Sequence, residues 1–161
     1  MSRLTMTSTL DPTNELYSSL SPEVRQELAK LAQVTTVASG SKLVRQGVRP
    51  EKLIILNSGQ VEITVPAEGK TLTLGTAGPG KVLALRAIVA GEAAEVDITA
   101  LEKCSLTVLP AEEFLNVLRR NPEMYLAVVK VLSGDLRKAD SFLRQKAGNL
   151  PLASGSRTRR R

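Results

Sequence analysis

From Val34 to Leu109 the chain repeats one device: a short run of alternating apolar and polar residues, then a glycine or a polar turn. Residues 34–38, 42–46, 52–56, 61–65, 70–74, 95–101 and 105–109 all follow it. A period of two puts successive side chains on opposite faces, which is the geometry of a strand. About eight short strands broken by turns predict a closed antiparallel roll or jelly roll, because that architecture leaves few sheet edges open to solvent. Asn57-Ser58-Gly59-Gln60 lies between two such runs and reads as a hairpin turn, with Gly59 free to take a positive φ.

Helical patterns flank the strands. Ser21-Pro22-Glu23 supplies an N-cap, a proline suited to the first helical position and an acid at the positive end of the dipole. Val24, Leu28, Leu31 and Ala32 then recur at helical spacing, which predicts a short amphipathic helix ending near Gln33. Pro110 closes the strands, and residues 111–120 form a helix with acids first and arginines last. A second helix restarts after Asn121-Pro122 and runs from about Glu123 to Lys146. The fold class expected is therefore mainly β with flanking helices (α+β): an eight-stranded antiparallel roll, a short N-terminal helix and a long C-terminal helix. Along the long helix Tyr125, Val129, Leu132, Leu136, Ala139 and Leu143 step alternately by four and three, the a/d seam of a coiled coil. Val128, Val131 and Phe142 lie off that seam, so one face suits the roll and the other a second copy, as a parallel homodimer.

Residues 79–102 interrupt the strands with a glycine, an apolar piece of helix length, a second glycine and a further strand. Such an excursion exposes backbone N–H groups that a closed ladder would consume, which makes it the place to look for a ligand. Gly80, Lys81, Val82, Leu83, Arg86, Ala93, Ala94 and Glu95 are its candidate binding residues. Lys81 and Arg86 are cations near the expected pocket mouth, read first as a solvated face and second as anchors for an anionic metabolite.

Composition removes whole classes of chemistry. The 161 residues contain no histidine, so Ser-His-Asp and Cys-His nucleophiles and histidine-ligated metals have no residue to use. No catalytic residue, metal site or cofactor is expected, and the chain reads as a non-enzyme. A barrel enzyme would need an all-carboxylate site from Glu62, Glu92, Glu95 and Asp97. The single cysteine, Cys104, excludes an internal disulfide and reads as strand filler. No apolar run approaches the roughly 20 residues of a membrane span, and residues 1–10 have no apolar signal core, so a cytoplasmic location is expected. Net charge is +6, of which Arg157, Arg159, Arg160 and Arg161 supply four. The expected organisation is a flexible lead over 1–16, one domain over 17–147 and a disordered basic tail over 148–161, whose arginines offer the one route to nucleic acid.

The order of these parts resembles the cyclic-nucleotide-binding-like effector domain of the Crp/Fnr superfamily of bacterial regulators, over about residues 17–144. Leu43-Val44-Arg45-Gln46-Gly47 is similar to that family's strand ending in a glycine turn, and Ser58-Gly59-Gln60-Val61 to its recurrent turn. Pro79-Gly80 and Ala100-Leu101-Glu102 are similar to the borders of its phosphate-binding cassette. The resemblance implies a glutamate after the cassette glycine, for a ribose hydroxyl, and a later arginine for the cyclic phosphate. This chain has Lys81 and Ala94 at those places. It also lacks the four-cysteine set and the histidine of the branch that senses oxygen or redox state. About fifteen residues follow Lys146, too few for the family's winged helix-turn-helix. The reading is a stand-alone regulatory or sensor module with a degenerate cassette, signalling through its dimer helix to an unknown protein partner. The alternatives are a cyclic AMP or cyclic GMP binder with a non-standard cassette, and a protein-interaction scaffold with no small ligand.

Overall fold

The computed structural model describes residues 15–148. The expectations for residues 1–14 and for the arginine tail lie outside the described residues. Among the described residues Glu15 already accepts a hydrogen bond from Val82 N–H and Leu16 is fully buried, both ahead of the expected boundary at Tyr17.

Eight strands form two antiparallel sheets. They are β1 (Gln33–Val37), β2 (Lys42–Val44), β3 (Lys52–Ser58), β4 (Val61–Ala67), β5 (Lys70–Ala77), β6 (Val82–Leu83), β7 (Asp97–Ala100) and β8 (Cys104–Pro110). One sheet has the order β1-β8-β3-β6 and the other β2-β7-β4-β5. A 3-10 turn (Tyr17–Ser19) and four helices complete the described fold: α1 (Pro22–Leu31), α2 (Leu85–Ala90), α3 (Ala111–Arg120) and α4 (Glu123–Gly148). This is the expected roll with flanking helices.

The first sheet is covered on both faces, which explains the unbroken apolar run in β3. Leu53 and Ile55 face the helices, whereas Ile54 and Leu56 face the second sheet. β6 divides in the same way, with Val82 in the helix-side cluster and Leu83 between the sheets. Alternation alone decides this partition, because a strand's side chains change face at every residue. On α1 the Ser21 hydroxyl accepts the Val24 N–H at 3.3 Å, while Val24 and Leu28 are buried. On α4, Met124, Ala127, Val128 and Val131 form the buried stripe. Removing each larger side chain of that stripe from water stabilises the helix by about 1.5–3 kcal/mol.

The segment at residues 57–60 is not a hairpin. β3 and β4 belong to different sheets, so it carries the chain from one layer to the other. Gly59 has φ +98°, and a Cβ there would lie 2.6 Å from Cys104 Sγ and 2.7 Å from the Lys103 carbonyl. The layers cross too closely at this corner for any side chain. The hairpin that does form joins β4 to β5, where Ala67 pairs with Lys70 around Glu68-Gly69. Both turn residues have positive φ, +50° and +78°, the twist that suits a two-residue turn between right-twisted strands. Cys104 opens β8, buried and free, as strand filler should be.

Candidate functional site

The candidate residues occupy one continuous excursion from β6 through α2 to β7. Gly80 N–H donates to the Leu56 carbonyl at 2.8 Å and Leu56 N–H donates to the Lys81 carbonyl at 2.9 Å, so the cassette strand is laced to β3. The strand ends at Leu83, and the next residue, Ala84, has a left-handed backbone with φ +73°. That conformation places a Cβ near the following carbonyl, a cost glycine avoids. α2 follows at once and ends at Gly91, also left-handed, whose N–H donates to the Ala87 and Ile88 carbonyls. The return segment is pinned at Ala94: its N–H donates to the Val48 carbonyl at 3.0 Å, and its carbonyl accepts the Gly47 N–H at 2.8 Å. Asp97 Oδ1 accepts the Gln46 N–H at 2.8 Å and Oδ2 lies 3.6 Å from Lys42 Nζ.

The left-handed residue at Ala84 offers a second register for the cassette, besides the one that begins at Gly80. Gly80 also has a positive φ, +93°, but it lies ahead of β6, whereas Ala84 directly precedes the pocket helix and is followed by Leu85. Leu85 is buried against the helix-side cluster. Ala94 is buried among Val44, Leu56, Val61, Leu83 and Ile98, between the sheets. In either register the carboxylate and the guanidinium implied by the family resemblance are absent. Among the described residues the buried polar or charged side chains are Thr64 and Thr107, so the inner cluster offers no buried charge to a phosphate.

The two cations foreseen at a pocket mouth are engaged elsewhere. Lys81 pairs with Asp135 on α4, with Glu15 Oε2 3.8 Å away, and its side chain is 15 % exposed. It is a link to the helices, which corrects both its first reading as part of a solvated face and its second as an anchor at a pocket mouth. Arg86 is exposed and lies 3.4 Å from Glu95 and 3.9 Å from Glu92, a solvated charge cluster on the outer side of α2. Val82 faces the helices, and Ala93 is exposed. Of the eight candidates, therefore, Leu83 and Ala94 reach the interior between the sheets, Gly80 supplies backbone, and the others point elsewhere. Sequence reasoning passed over Ala84, Leu85 and Arg49, whose guanidinium lies 3.2 Å from where a Gly91 Cβ would sit. The glycine turn at Gly47 was the available signal for that neighbouring loop.

The carboxylates weighed as a metal site are dispersed among other partners. Glu62 accepts from Thr73 Oγ1, Glu92 and Glu95 face Arg86, and Asp97 holds Lys42 and Gln46. Among the described residues no cluster of acidic or cysteine side chains suits a metal ion, and no helix is long and apolar enough to cross a membrane.

On α4 the proposed seam divides. Tyr125, Val129 and Leu136 are 47 %, 54 % and 71 % exposed, and Leu126 beside them is 63 % exposed. Leu132 is half-buried against the helix-side cluster, so it serves the roll. The side chains of Ala139, Phe142 and Leu143 lie outside the described residues.

Residues 34–121, more than half of the chain, match the family model described as the cyclic nucleotide-binding domain. The catabolite activator protein of Thermus thermophilus is similar in structure, with a TM-score of 0.69 and 25 % identity over 83 % of this chain and 63 % of that one. The regulatory subunit of a cAMP-independent protein kinase A from Trypanosoma brucei, solved as a triple mutant bound to cAMP in its A site, gives a TM-score of 0.68 at 17 % identity, covering 98 % of this chain and 52 % of that one. Neuropathy target esterase sws of Drosophila willistoni is 27 % identical over 114 residues, which are 66 % of this chain and 8 % of that protein. The chain thus spans less than two thirds of the activator protein and a small part of the esterase.

Proposed function

We infer the function from the premise that this chain belongs to the cyclic nucleotide-binding domain family: it is a regulatory module whose cassette no longer holds a cyclic nucleotide through charged anchors. The observation that carries this reading is the apolar pair Leu85 and Ala94, both buried, at the places where an acid and an arginine would be needed. A phosphate enclosed without a guanidinium forgoes a charge-assisted hydrogen bond worth about 1.5–3 kcal/mol. The Trypanosoma relative supports the comparison, since it is the regulatory subunit of a cAMP-independent kinase and one of the three changes in its cAMP-bound mutant introduces an arginine. Output passes through α4, whose exposed Tyr125, Val129 and Leu136 suit a second copy, to a protein partner that reads the helix pair.

Calorimetric titration with cyclic AMP and cyclic GMP, beside sedimentation of the same sample, tests both halves. The expected result is no heat at nucleotide concentrations up to about 1 mM, a level at which even weak binding of about −4 kcal/mol registers. A dimeric mass that becomes monomeric in Leu136→Asp is expected with it. Micromolar binding would make the module a nucleotide sensor working by another geometry. A mass unaltered by Leu136→Asp would remove the seam.

A further inference from the structure

Away from the Gly59 corner, the inner face of the second sheet is open. In an antiparallel ladder opposed residues share a face, and faces alternate at every residue. Ile63 lies opposite Ile98, a member of the cluster between the sheets, so Ile63 and Val65 both face inward. Val65 brings its partner Leu72 to the same face. Burial along this face fades from fully buried Val61, through half-buried Ile63 and Val65, to Leu72, which is 47 % exposed. Among the described residues Val65 packs against neither apolar cluster. Half-buried Gly75 lies opposite Ile63, and a Cβ there would meet no atom within 4 Å. The sheets close on each other at Val61 and leave open space from Gly75 onward.

The chemistry of that space is uniform. Leu83, Ala84 and Ala94 of the cassette excursion belong to, or pack against, the same inner cluster as Ile63 and Val96 of the opposing side, so apolar atoms line it from both directions. The polar side chains of these strands sit on the outer face, where Glu62 accepts from Thr73 and Asp97 holds Lys42. Lys70, two residues beyond Leu72 on the inward register, stands at the exposed tip of the hairpin. A charged group drawn deeper than that tip would lose its hydration with nothing to replace it. We propose that the groove between the β4–β5 hairpin and the cassette binds an uncharged, apolar small molecule, a hydrocarbon or aromatic body. Removal of the apolar lining from water drives its binding, and Ala84 and Ala94 leave room for it where longer side chains would not. That ligand class rests on the reading of a cassette without charged anchors, and it is the class the remaining walls accept.

Fluorescence titration of the full chain with N-phenyl-1-naphthylamine, an uncharged probe that brightens in apolar surroundings, tests the groove. Saturable enhancement at one probe per chain is expected, with affinity reduced roughly tenfold or more in Leu72→Asp and in Val65→Asp. Leu101→Asp is the matched control: Leu101 is 46 % exposed, but it lies at the turn between β7 and β8, so this variant keeps the parent affinity. No saturable enhancement in the parent, or equal loss in Leu101→Asp, would overturn the groove while leaving the silent cassette untouched. Enhancement that appears only once Leu136→Asp has separated the copies would overturn it too, because a second copy would then fill the space. Displacement of the probe by cyclic AMP at about 1 mM would overturn both the uncharged ligand class and the cassette reading beneath it.

Discussion

Gly59 and Gly134 show how one residue type carries opposite meanings in this chain. Gly59 turns the corner between layers at φ +98° with Cys104 Sγ and the Lys103 carbonyl where a Cβ would be, whereas Gly134 sits in a helix with nothing within 4 Å of its would-be Cβ. Replacement by alanine should therefore have opposite signs. Gly59→Ala is expected to destabilise the fold by about 2–4 kcal/mol, through left-handed strain plus overpacking against backbone. Gly134→Ala is expected to stabilise it by about 0.5–1 kcal/mol, the helix propensity difference. Urea unfolding of the two variants measures both, and a harmless Gly59→Ala would contradict the crossing geometry. The turn and the positive φ at Gly59 were readable from sequence; the approach of Cys104 was not, because it depends on where β8 lies.

At the scale of the element, α2 and its flanks are the candidate ligand site. The excursion was legible as a glycine-bounded interruption of the strands, yet its register was not. Gly80 looked like the residue ahead of the helix, but pairing with Leu56 extends the strand past it and the helix waits for Ala84. The missing anchors can be restored and tested. Leu85→Glu with Ala94→Arg should lower the melting temperature without ligand, since both sites are buried and a lone charge there is costly. Cyclic AMP at about 1 mM should then raise it by several degrees by binding only the folded state, with the parent unresponsive. A variant that folds and gives no shift would place the obstacle elsewhere in the roll.

The molecule as a whole depends on the helix-side cluster, where the 3-10 turn, α1, α3 and α4 meet the first sheet. Tyr17 is fully buried there, and burial pushes its phenol up to about 12 from 10.0. The unfolded phenol loses its proton near pH 10 while the folded one keeps it to about 12. Tyr17 therefore leaves stability intact below pH 10 and withdraws it as pH rises toward 12, by at most about 2–3 kcal/mol. Unfolding midpoints at pH 9 and 11 should fall more steeply for the parent than for Tyr17→Phe, in which other alkaline titrations remain; equal slopes would contradict the shift.

Local pattern determined every strand but β6, the flanking helices, the stop at Pro110 and the loss of histidine chemistry, because period, caps and composition are written in the residues themselves. Tertiary structure alone decided that β3 and β4 part into different sheets, that Lys81 serves α4, that Leu132 packs on the roll and that Ala84 starts the pocket helix. Each of these rests on pairing between segments distant along the chain. The energy that selects such pairings comes from burial and hydrogen bonding between residues whose proximity no local spacing encodes.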